Sequence, residues 1–151
     1  MTDPSCPFCP LVAALEHADT VRGPSGSVTR RIALLPTSVA ILGTDQYYRG
    51  YSIVIARRHA TELYHLSEAE STGYFHDMLR VARAIDRAFK PRKMNYELLG
   101  NTVAHLHWHL FPRHADDPTL TRPTWEHAHE PRLLSDAECD ETIEAIRRHL
   151  G

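Results

Sequence analysis

The chain has 151 residues, 42% of them hydrophobic, and a formal net charge of −2 from 17 basic and 19 acidic side chains. That length suits one domain over residues 1–151, and the charge balance argues against a nucleic-acid polymer as a partner, because binders of the phosphate backbone carry a positive excess. No apolar run reaches the ~18–20 residues that cross a bilayer, and the first residues lack the pattern of a secretion signal, so we expect a cytoplasmic protein without a membrane partner.

A cysteine pair stands near the beginning of the chain, where Cys6 and Cys9 occur in CPFC. This spacing is typical of metal knuckles and of redox pairs. One pair supplies only half of a tetrahedral zinc site, so two further ligands would be needed. A thioredoxin-like redox role is less favoured, since no strand–helix–strand pattern surrounds the pair.

Three short runs rich in β-branched residues follow, separated by the turn-forming triplets PTS and GTD. Such runs predict a meander of antiparallel strands. They cover Ile32–Leu35, Val39–Leu42 and Tyr51–Ala56.

A long helix is predicted next. Ser67, with Glu70 three residues later, forms a capping box that can satisfy the first free amide groups of a helix. Apolar residues then recur at helical spacing until Pro91. The predicted apolar face consists of Phe75, Met78, Leu79, Ala82, Ile85 and Phe89.

The rest of the chain predicts two strands, a loop and a helix. Residues 94–100 and 105–111 have strand character and are joined by turn residues, whereas 114–134 form a long polar loop of the kind that often carries function. Ser135 and Glu138 make a second capping box. The fold class is therefore α+β, with a final helix whose apolar stripe is Cys139, Ile143, Ile146 and Leu150.

The segment HLHWHLF, residues 105–111, has a histidine at every second position. Alternate side chains of a strand point to opposite faces, so the three histidines share one face while Leu106, Trp108 and Leu110 face the core. Neighbours on one face lie roughly 6.5–7 Å apart, which lets two imidazoles reach one phosphate-sized group.

Three interpretations of this face are open. A neutral imidazole is a competent nucleophile near neutral pH, which favours catalysis at phosphorus with a second imidazole assisting the leaving group. The histidines can instead be the polar face of an amphipathic strand, although Thr, Lys, Glu and Arg are commoner there. The third interpretation is a metal-dependent oxygenase site, since His-x-His can ligate one ion, but it lacks an identified third ligand.

The string NYELLGNTVAHLHWHLFPR resembles the signature of the histidine triad (HIT) superfamily, in which His-x-His-x-His precedes two mostly apolar residues. The likeness covers roughly residues 6–115 and is strongest to bacterial members, with 116–151 as a less diagnostic loop and helix. It implies a five-stranded antiparallel sheet with a long helix and a C-terminal helix, and two-fold dimers. It also implies hydrolysis or transfer of nucleoside monophosphates from dinucleoside polyphosphates, phosphoramidates or similar conjugates; a nucleotide sensor with little turnover is the alternative.

The resemblance implies a role for each histidine. His107 would be the nucleophile at the α-phosphorus, and His109 would contact the phosphate oxygens and the leaving group. His105 would support them, either by positioning its neighbour or by binding a metal. For Trp125 two roles stay open, covering a nucleobase or packing at a dimer interface.

Nucleotide contacts follow from the same resemblance. Asn95 and Thr102 match positions that open the motif and contact phosphate. Asn101 stands where many members carry glutamine, which keeps the amide but shortens it by one methylene. The usual ribose-binding acidic or amide residue falls near Gly43, which has no side chain, so Asp45 is the candidate from a shifted loop.

Members of the superfamily that begin with a cysteine pair can bind zinc with that pair and two histidines. The matching positions here are Cys6, Cys9, His59 and the first histidine of the triad, His105. The resemblance therefore implies a closed structural zinc site that holds the N-terminal segment beside the catalytic strand.

Overall fold

The computed structural model describes residues 3–151, which form one six-stranded antiparallel sheet and three α-helices. The helices are α1 (Phe8–Leu15), α2 (Glu68–Phe89) and α3 (Asp136–Arg147). The strands are β1 (Thr20–Arg22), β2 (Val28–Leu34), β3 (Ser38–Leu42), β4 (Ser52–Ala56), β5 (Lys93–Glu97) and β6 (His107–Arg113). Two short 3-10 helices cover Leu63–His65 and Thr124–Glu126.

The α+β class is confirmed, but the sheet has six strands in the order β1-β2-β3-β4-β6-β5 rather than five. The additional strand is the three-residue β1, which pairs with the start of β2 through Thr20 and Arg30. It has a single apolar residue, Val21, so the segment is too short to show the apolar alternation by which a strand is recognised in a sequence.

Both predicted capping boxes are present. The hydroxyl of Ser67 accepts a hydrogen bond from the amide of Glu70, and Ser135 and Glu138 repeat the arrangement at α3. The predicted apolar face of α2 is wrong at Phe75, which is 49% exposed, whereas its neighbour Tyr74 is buried. Tyr74 can be buried because its hydroxyl donates to the carbonyl of Val54.

Helix α1 was not predicted. It spans eight residues, and its N-cap residue, Pro7, makes no side-chain hydrogen bond to the first turn. Neither the length of the helix nor its first turn therefore marks it in the sequence. Its apolar residues Val12 and Leu15 are buried and fix the cysteine pair at the start of the helix against the sheet.

The sheet carries a hydrophobic core on each face. The larger core lies between the sheet and α2 and α3, and it includes Leu42, Val54 and Leu110. The smaller core lies under α1 and includes Val39 and Ile55. Consecutive residues of β3 enter opposite cores, as the two-residue period of a strand requires. The C-terminal helix therefore shares the main core with the sheet.

Helix α2 buries one carboxylate, that of Asp77, which is 3% exposed. This side chain accepts hydrogen bonds from the amide and hydroxyl of Thr37, at 2.9 and 2.7 Å, and from the hydroxyl of Ser38, at 3.0 Å. It thereby fastens the helix to the β2–β3 turn. Among residues 3–151, no helix is long and apolar enough to cross a membrane.

Candidate active site

The histidine strand has the predicted alternation. Leu106 and Leu110 lie in the main core and Trp108 packs against it, so the role of this tryptophan in packing is confirmed. His107 pairs with Ile55 on β4, a residue of the smaller core, which places the histidines on the face that α1 partly covers. His105 precedes the first residue of β6.

His107 has its two ring nitrogens in different environments. Nδ1 donates a hydrogen bond to the carbonyl of His105 at 2.5 Å. A neutral imidazole carries one proton, so this bond places the proton on Nδ1 and leaves a lone pair on Nε2. Phe8 of α1 lies edge-on to the His107 ring, with ring centroids 4.9 Å apart, and His107 is only 7% exposed. A buried, oriented ring with a free Nε2 is suited to act as a nucleophile.

His109 lies beside His107, with ring centroids 4.8 Å apart. Its Nδ1 is 2.6 Å from the hydroxyl of Tyr51. Burial, and to a smaller extent the nearby His107, lowers the pKa of His109 to about 4. At neutral pH His109 is therefore uncharged, and it has one nitrogen left for a substrate.

Tyr51 fills the space above Gly43. A Cβ atom built on this glycine would lie 2.2 Å from the tyrosine ring, so no side chain fits there while Tyr51 keeps its position. The Tyr51 ring also stacks on Phe111, with centroids 4.2 Å apart and planes within 1°. The aromatic ring thus occupies the place where an acidic or amide residue was expected from the resemblance.

A cavity of about 320 Å³ opens next to His109. Aromatic rings form most of its wall, and two carboxylates and a hydroxyl supply polar groups. Its lining comprises Asp45, Tyr48, Tyr51, Glu97, Leu99, His109, Phe111, Thr124, Trp125 and His129. Flat apolar walls with a few polar groups are typical of sites that bind aromatic small molecules.

The loop of residues 114–134 closes one side of this cavity with Thr124, Trp125 and His129, and its functional role stays a prediction. Two contacts fasten it. The hydroxyl of Thr124 donates to Glu97 at 2.5 Å, and Nε2 of His129 lies 2.9 Å from the Asp45 carboxylate. Burial raises the pKa of Glu97.

Asp45 holds the loop with several hydrogen bonds. The amides of Tyr47 and Arg132 each donate to its carboxylate at 2.9 Å. Burial acts to raise the pKa of Asp45, but these amide bonds and His129 together lower it. The carboxylate therefore remains charged and is largely occupied by protein donors.

A second cluster lies at the other end of the histidine strand. Cys6, Cys9, His59 and His105 place their ligand atoms within 4.8 Å of one another. The Sγ of Cys6 is 3.3 Å from Nδ1 of His105, and the Sγ of Cys9 is 3.5 Å from Nδ1 of His59. Ligands of a tetrahedral zinc ion with bonds of ~2.0–2.3 Å lie about 3.3–3.8 Å apart, so the spacing fits that ion.

The outer nitrogens of both cluster histidines support the same interpretation. Nε2 of His105 donates to the carbonyl of Ala56 at 2.8 Å, and Nε2 of His59 faces the Asp3 carboxylate at 3.7 Å. The two Nδ1 atoms lie 3.3 Å apart, and each is within 3.5 Å of a cysteine sulfur, so the four candidate ligand atoms face one another. Metal-binding histidines usually have such outer partners.

Comparison with known proteins identifies the family. The HIT domain profile matches residues 28–116. The chain belongs to the histidine triad family. A histidine triad protein from Bradyrhizobium japonicum has a similar structure, with a TM-score of 0.74 and 28% identity over 92% of this chain and 96% of that one.

Two further relatives extend this result. The protein named Hit of Bacillus subtilis is 30% identical over 115 residues, which is 73% of this chain and 72% of that protein. A zinc-bound histidine triad family protein from Mycobacterium smegmatis shares the fold, with a TM-score of 0.68 and 23% identity over 97% of this chain and 93% of that one. The superfamily consists of nucleotide-binding and nucleotide-hydrolysing proteins.

The structure separates the three triad histidines into two groups. His109 lines the aromatic cavity and His107 lies next to His109, whereas both ring nitrogens of His105 are used elsewhere, one toward the cysteines and one toward Ala56. The resemblance implied a supporting role for His105, and its ring lies at the cysteine cluster rather than beside His109. His105 acts on the pair through its backbone carbonyl, which orients His107.

Four other residues were predicted to contact nucleotide, namely Asp45, Asn95, Asn101 and Thr102. Of these, Asp45 lines the cavity beside His109. The side-chain oxygen of Asn95 accepts a hydrogen bond of 2.7 Å from the guanidinium of Arg113, which also binds carbonyls of the neighbouring loop. Asn101 and Thr102 are exposed in the segment between β5 and β6. Phosphate contact by these last three residues stays a prediction.

Several residues around the centre had no role in the sequence-based interpretation, namely Tyr48, Tyr51, Glu97, Thr124 and His129. Glu97 could have been found, because a strand paired with β6 must place one side chain opposite His109, and that residue is Glu97. No local sequence pattern marks the other four residues, because they reach the cavity through contacts between segments that are distant in the sequence.

Proposed function

We propose that this histidine triad protein is a nucleotide hydrolase or nucleotidyl transferase. It would cleave at the α-phosphate of a dinucleoside polyphosphate, a nucleoside phosphoramidate or a similar conjugate, and form a nucleotidyl-histidine intermediate on His107. The observation that carries the proposal is the hydrogen bond from His107 Nδ1 to the His105 carbonyl. That bond supports a fixed ring with its lone pair on Nε2, next to a second neutral imidazole.

The proposed reaction has two steps. Nε2 of His107 forms a bond to the α-phosphorus while the bond from phosphorus to the leaving group breaks; the N–H of neutral His109 donates a hydrogen bond to the leaving atom, which takes its proton from water. Water or another acceptor hydroxyl then attacks phosphorus and releases its proton to the solvent, which breaks the bond to His107 and restores the neutral imidazole. Water would make the protein a hydrolase, and another hydroxyl would make it a transferase.

The cavity beside His109 is the proposed site for the organic group attached to the reacting phosphate. Four aromatic residues of its wall, Tyr48, Tyr51, Phe111 and Trp125, offer flat surfaces for a ring such as a nucleobase. Asp45, together with Thr102, Asn95 and Asn101, stays a proposed polar contact to the nucleotide.

We also propose that the cluster of Cys6, Cys9, His59 and His105 binds one structural zinc ion. The donor set, the spacing and the outer partners of both histidines support it. An ion there would join the start of α1 to the segment that enters β6, and would thus hold the carbonyl that orients His107. A homodimer is proposed from the family resemblance and is tested by light scattering of the purified protein.

The decisive experiment traps the intermediate. The purified protein is mixed with adenosine 5′-phosphoramidate or diadenosine tetraphosphate, quenched in alkaline denaturant that preserves phosphorus–nitrogen bonds, and measured by intact mass. We expect added mass equal to one nucleoside monophosphoryl group, located on His107 by peptide mapping. His107→Asn should remove the adduct, whereas His17→Ala, a change at an exposed histidine, should keep it.

Two outcomes would contradict the enzymatic proposal. Tight binding of a nucleoside monophosphate without adduct or turnover would favour a nucleotide sensor instead. An iron-dependent activity that chelators abolish would favour an oxygenase. The geometry gives the oxygenase little support, because within residues 3–151 the group of possible metal ligands forms around Cys6 and Cys9 and not around His107 and His109.

A further inference from the structure

The side chains of Tyr51 and His109 are joined by a hydrogen bond, and the direction of that bond determines where the proton of His109 resides. The phenol oxygen is 2.6 Å from Nδ1 of His109, and both side chains line the aromatic cavity. One of the two groups must donate the proton in this hydrogen bond. The choice decides which nitrogen of His109 carries a proton toward a substrate.

Burial favours the phenol as the donor. It raises the pKa of Tyr51, so the hydroxyl keeps its proton, and it lowers the pKa of His109 to about 4, so the imidazole is neutral. A protonated phenol beside a neutral imidazole is satisfied when its O–H points at a ring lone pair. The single imidazole proton then resides on the other nitrogen, Nε2.

We propose that Tyr51 is a positioning residue that fixes His109 in the Nε2–H tautomer, so that this nitrogen presents its proton to the phosphate oxygens or to the leaving atom. This inference rests on the proposed function of the site. It makes the two histidines complementary. His107 is held with its proton on Nδ1 by a carbonyl, and His109 is held with its proton on Nε2 by a phenol.

The fold holds the phenol in this position from two sides. Phe111 stacks on the Tyr51 ring, and Gly43 lies beneath it with no room for a Cβ atom. Strands β3 and β4 bring the two positions together, because Leu42 pairs with Ser52 and their neighbours are therefore adjacent. A side chain at position 43 would displace the Tyr51 ring, so the hydrogen bond from Tyr51 to His109 requires glycine at position 43.

Nitrogen-detected NMR of the imidazoles tests the tautomer directly. In the wild-type protein we expect His109 to be protonated on Nε2 and unprotonated on Nδ1, with its signals assigned from their loss in His109→Gln. Tyr51→Phe keeps the ring and removes the hydroxyl, so we expect His109 to change to a mixture of tautomers. The control is Tyr48→Phe in the same cavity, whose buried hydroxyl has no hydrogen-bond partner among residues 3–151 and which should leave the tautomer of His109 unchanged.

Kinetics provide the second measurement. Tyr51→Phe should lower kcat by roughly tenfold to a hundredfold, less than the ~10²–10³ lost when a hydrogen-bond donor to the developing charge is removed altogether, with KM changed less than kcat. Tyr64→Phe, at a residue 79% exposed, should leave both constants unchanged. The proposal is overturned if wild-type His109 carries its proton on Nδ1, or if Tyr51→Phe alters neither the tautomer nor kcat. The NMR result stands without any turnover, so it is separate from the adduct test, which decides the proposed function.

Discussion

The backbone carbonyl of His105 accepts a hydrogen bond from Nδ1 of His107 at 2.5 Å, while the side chain of His105 belongs to the cysteine cluster. One residue therefore connects the candidate metal site with the candidate nucleophile. Its side chain can fix the position of its own carbonyl, and the carbonyl fixes the neighbouring ring. The two sites are coupled through two neighbouring positions at the start of the strand rather than through substrate.

Replacement of the nucleophile should abolish turnover without abolishing binding. We expect His107→Ala to lower kcat by at least roughly a thousandfold, because the variant lacks the imidazole that forms the proposed covalent bond to phosphorus. Binding of adenosine monophosphate, measured by calorimetry, should change little since the aromatic cavity remains. Turnover that survives in His107→Ala would assign the nucleophile elsewhere, and His17→Ala is the matched change at an exposed histidine.

Removal of a cysteine ligand should remove the metal. We expect about one zinc ion per wild-type chain by elemental analysis and clearly less in Cys9→Ser, because a thiolate is replaced by a poor zinc ligand. The same variant, or chelator treatment of the wild type, should lower the midpoint of thermal unfolding. The third cysteine is the control. Cys139 lies in α3 outside the cluster, so Cys139→Ser should keep its zinc.

The buried state of His109 predicts a loss of stability in acid. Its pKa is about 4 in the folded protein and 6.5 in its ordinary state, so between these values the unfolded chain binds more protons. The contribution of neutral, buried His109 to the free energy of unfolding is therefore fully present above pH ~6.5. It decreases as the pH falls toward about 4 and is lost below that value.

Urea unfolding of the wild type and of His109→Gln at several pH values measures this contribution. The difference between the two proteins removes the titration of the candidate metal ligands, which both share. The free energy of unfolding of the wild type should fall more steeply from pH 6.5 to 4. Parallel curves for the two proteins would show that His109 is not a neutral buried imidazole in solution.

Local patterns predicted the parts of the fold that local interactions determine. The boxes at Ser67 and Ser135 need only residues three positions apart, and both were found in the structure. The two-residue alternation around His107 likewise follows from strand geometry alone. Helix α1 was missed because its stability comes from burial of Val12 and Leu15 under the sheet, a contact that no pattern within eight residues reveals.

The site itself could be predicted only in part. The histidines are adjacent in sequence, so their shared strand was apparent. Tyr51 and His109 are 58 positions apart and meet because β4 pairs with β6. The glycine at position 43 looked like a missing ligand in the sequence, and only the structure shows that the Tyr51 ring occupies its side-chain space. Tertiary contacts of this kind have no signature in one sequence.

The buried carboxylate of Asp77 should be important for stability but not for chemistry, because it lies on α2 and binds the β2–β3 turn. Asp77→Ala leaves the donors of Thr37 and Ser38 without a partner and should lower the free energy of unfolding by about 1–3 kcal/mol. Asp86→Ala, at an exposed carboxylate of the same helix, should change it by less than about 0.5 kcal/mol. Equal effects in urea unfolding would contradict the assigned role of Asp77.

Trp125 should affect substrate binding more than the chemical step. It is 63% exposed, yet it forms part of the cavity wall beside His109, so an aromatic ligand would cover it on binding. We expect Trp125→Ala to raise KM roughly fivefold to 150-fold, since base–aromatic stacking contributes about 1–3 kcal/mol, while kcat changes less than twofold. Trp125→Phe should restore most of the affinity. If Trp125→Ala leaves KM unchanged and instead shifts the monomer–dimer equilibrium in light scattering, the residue belongs to an interface between subunits and not to the nucleotide site.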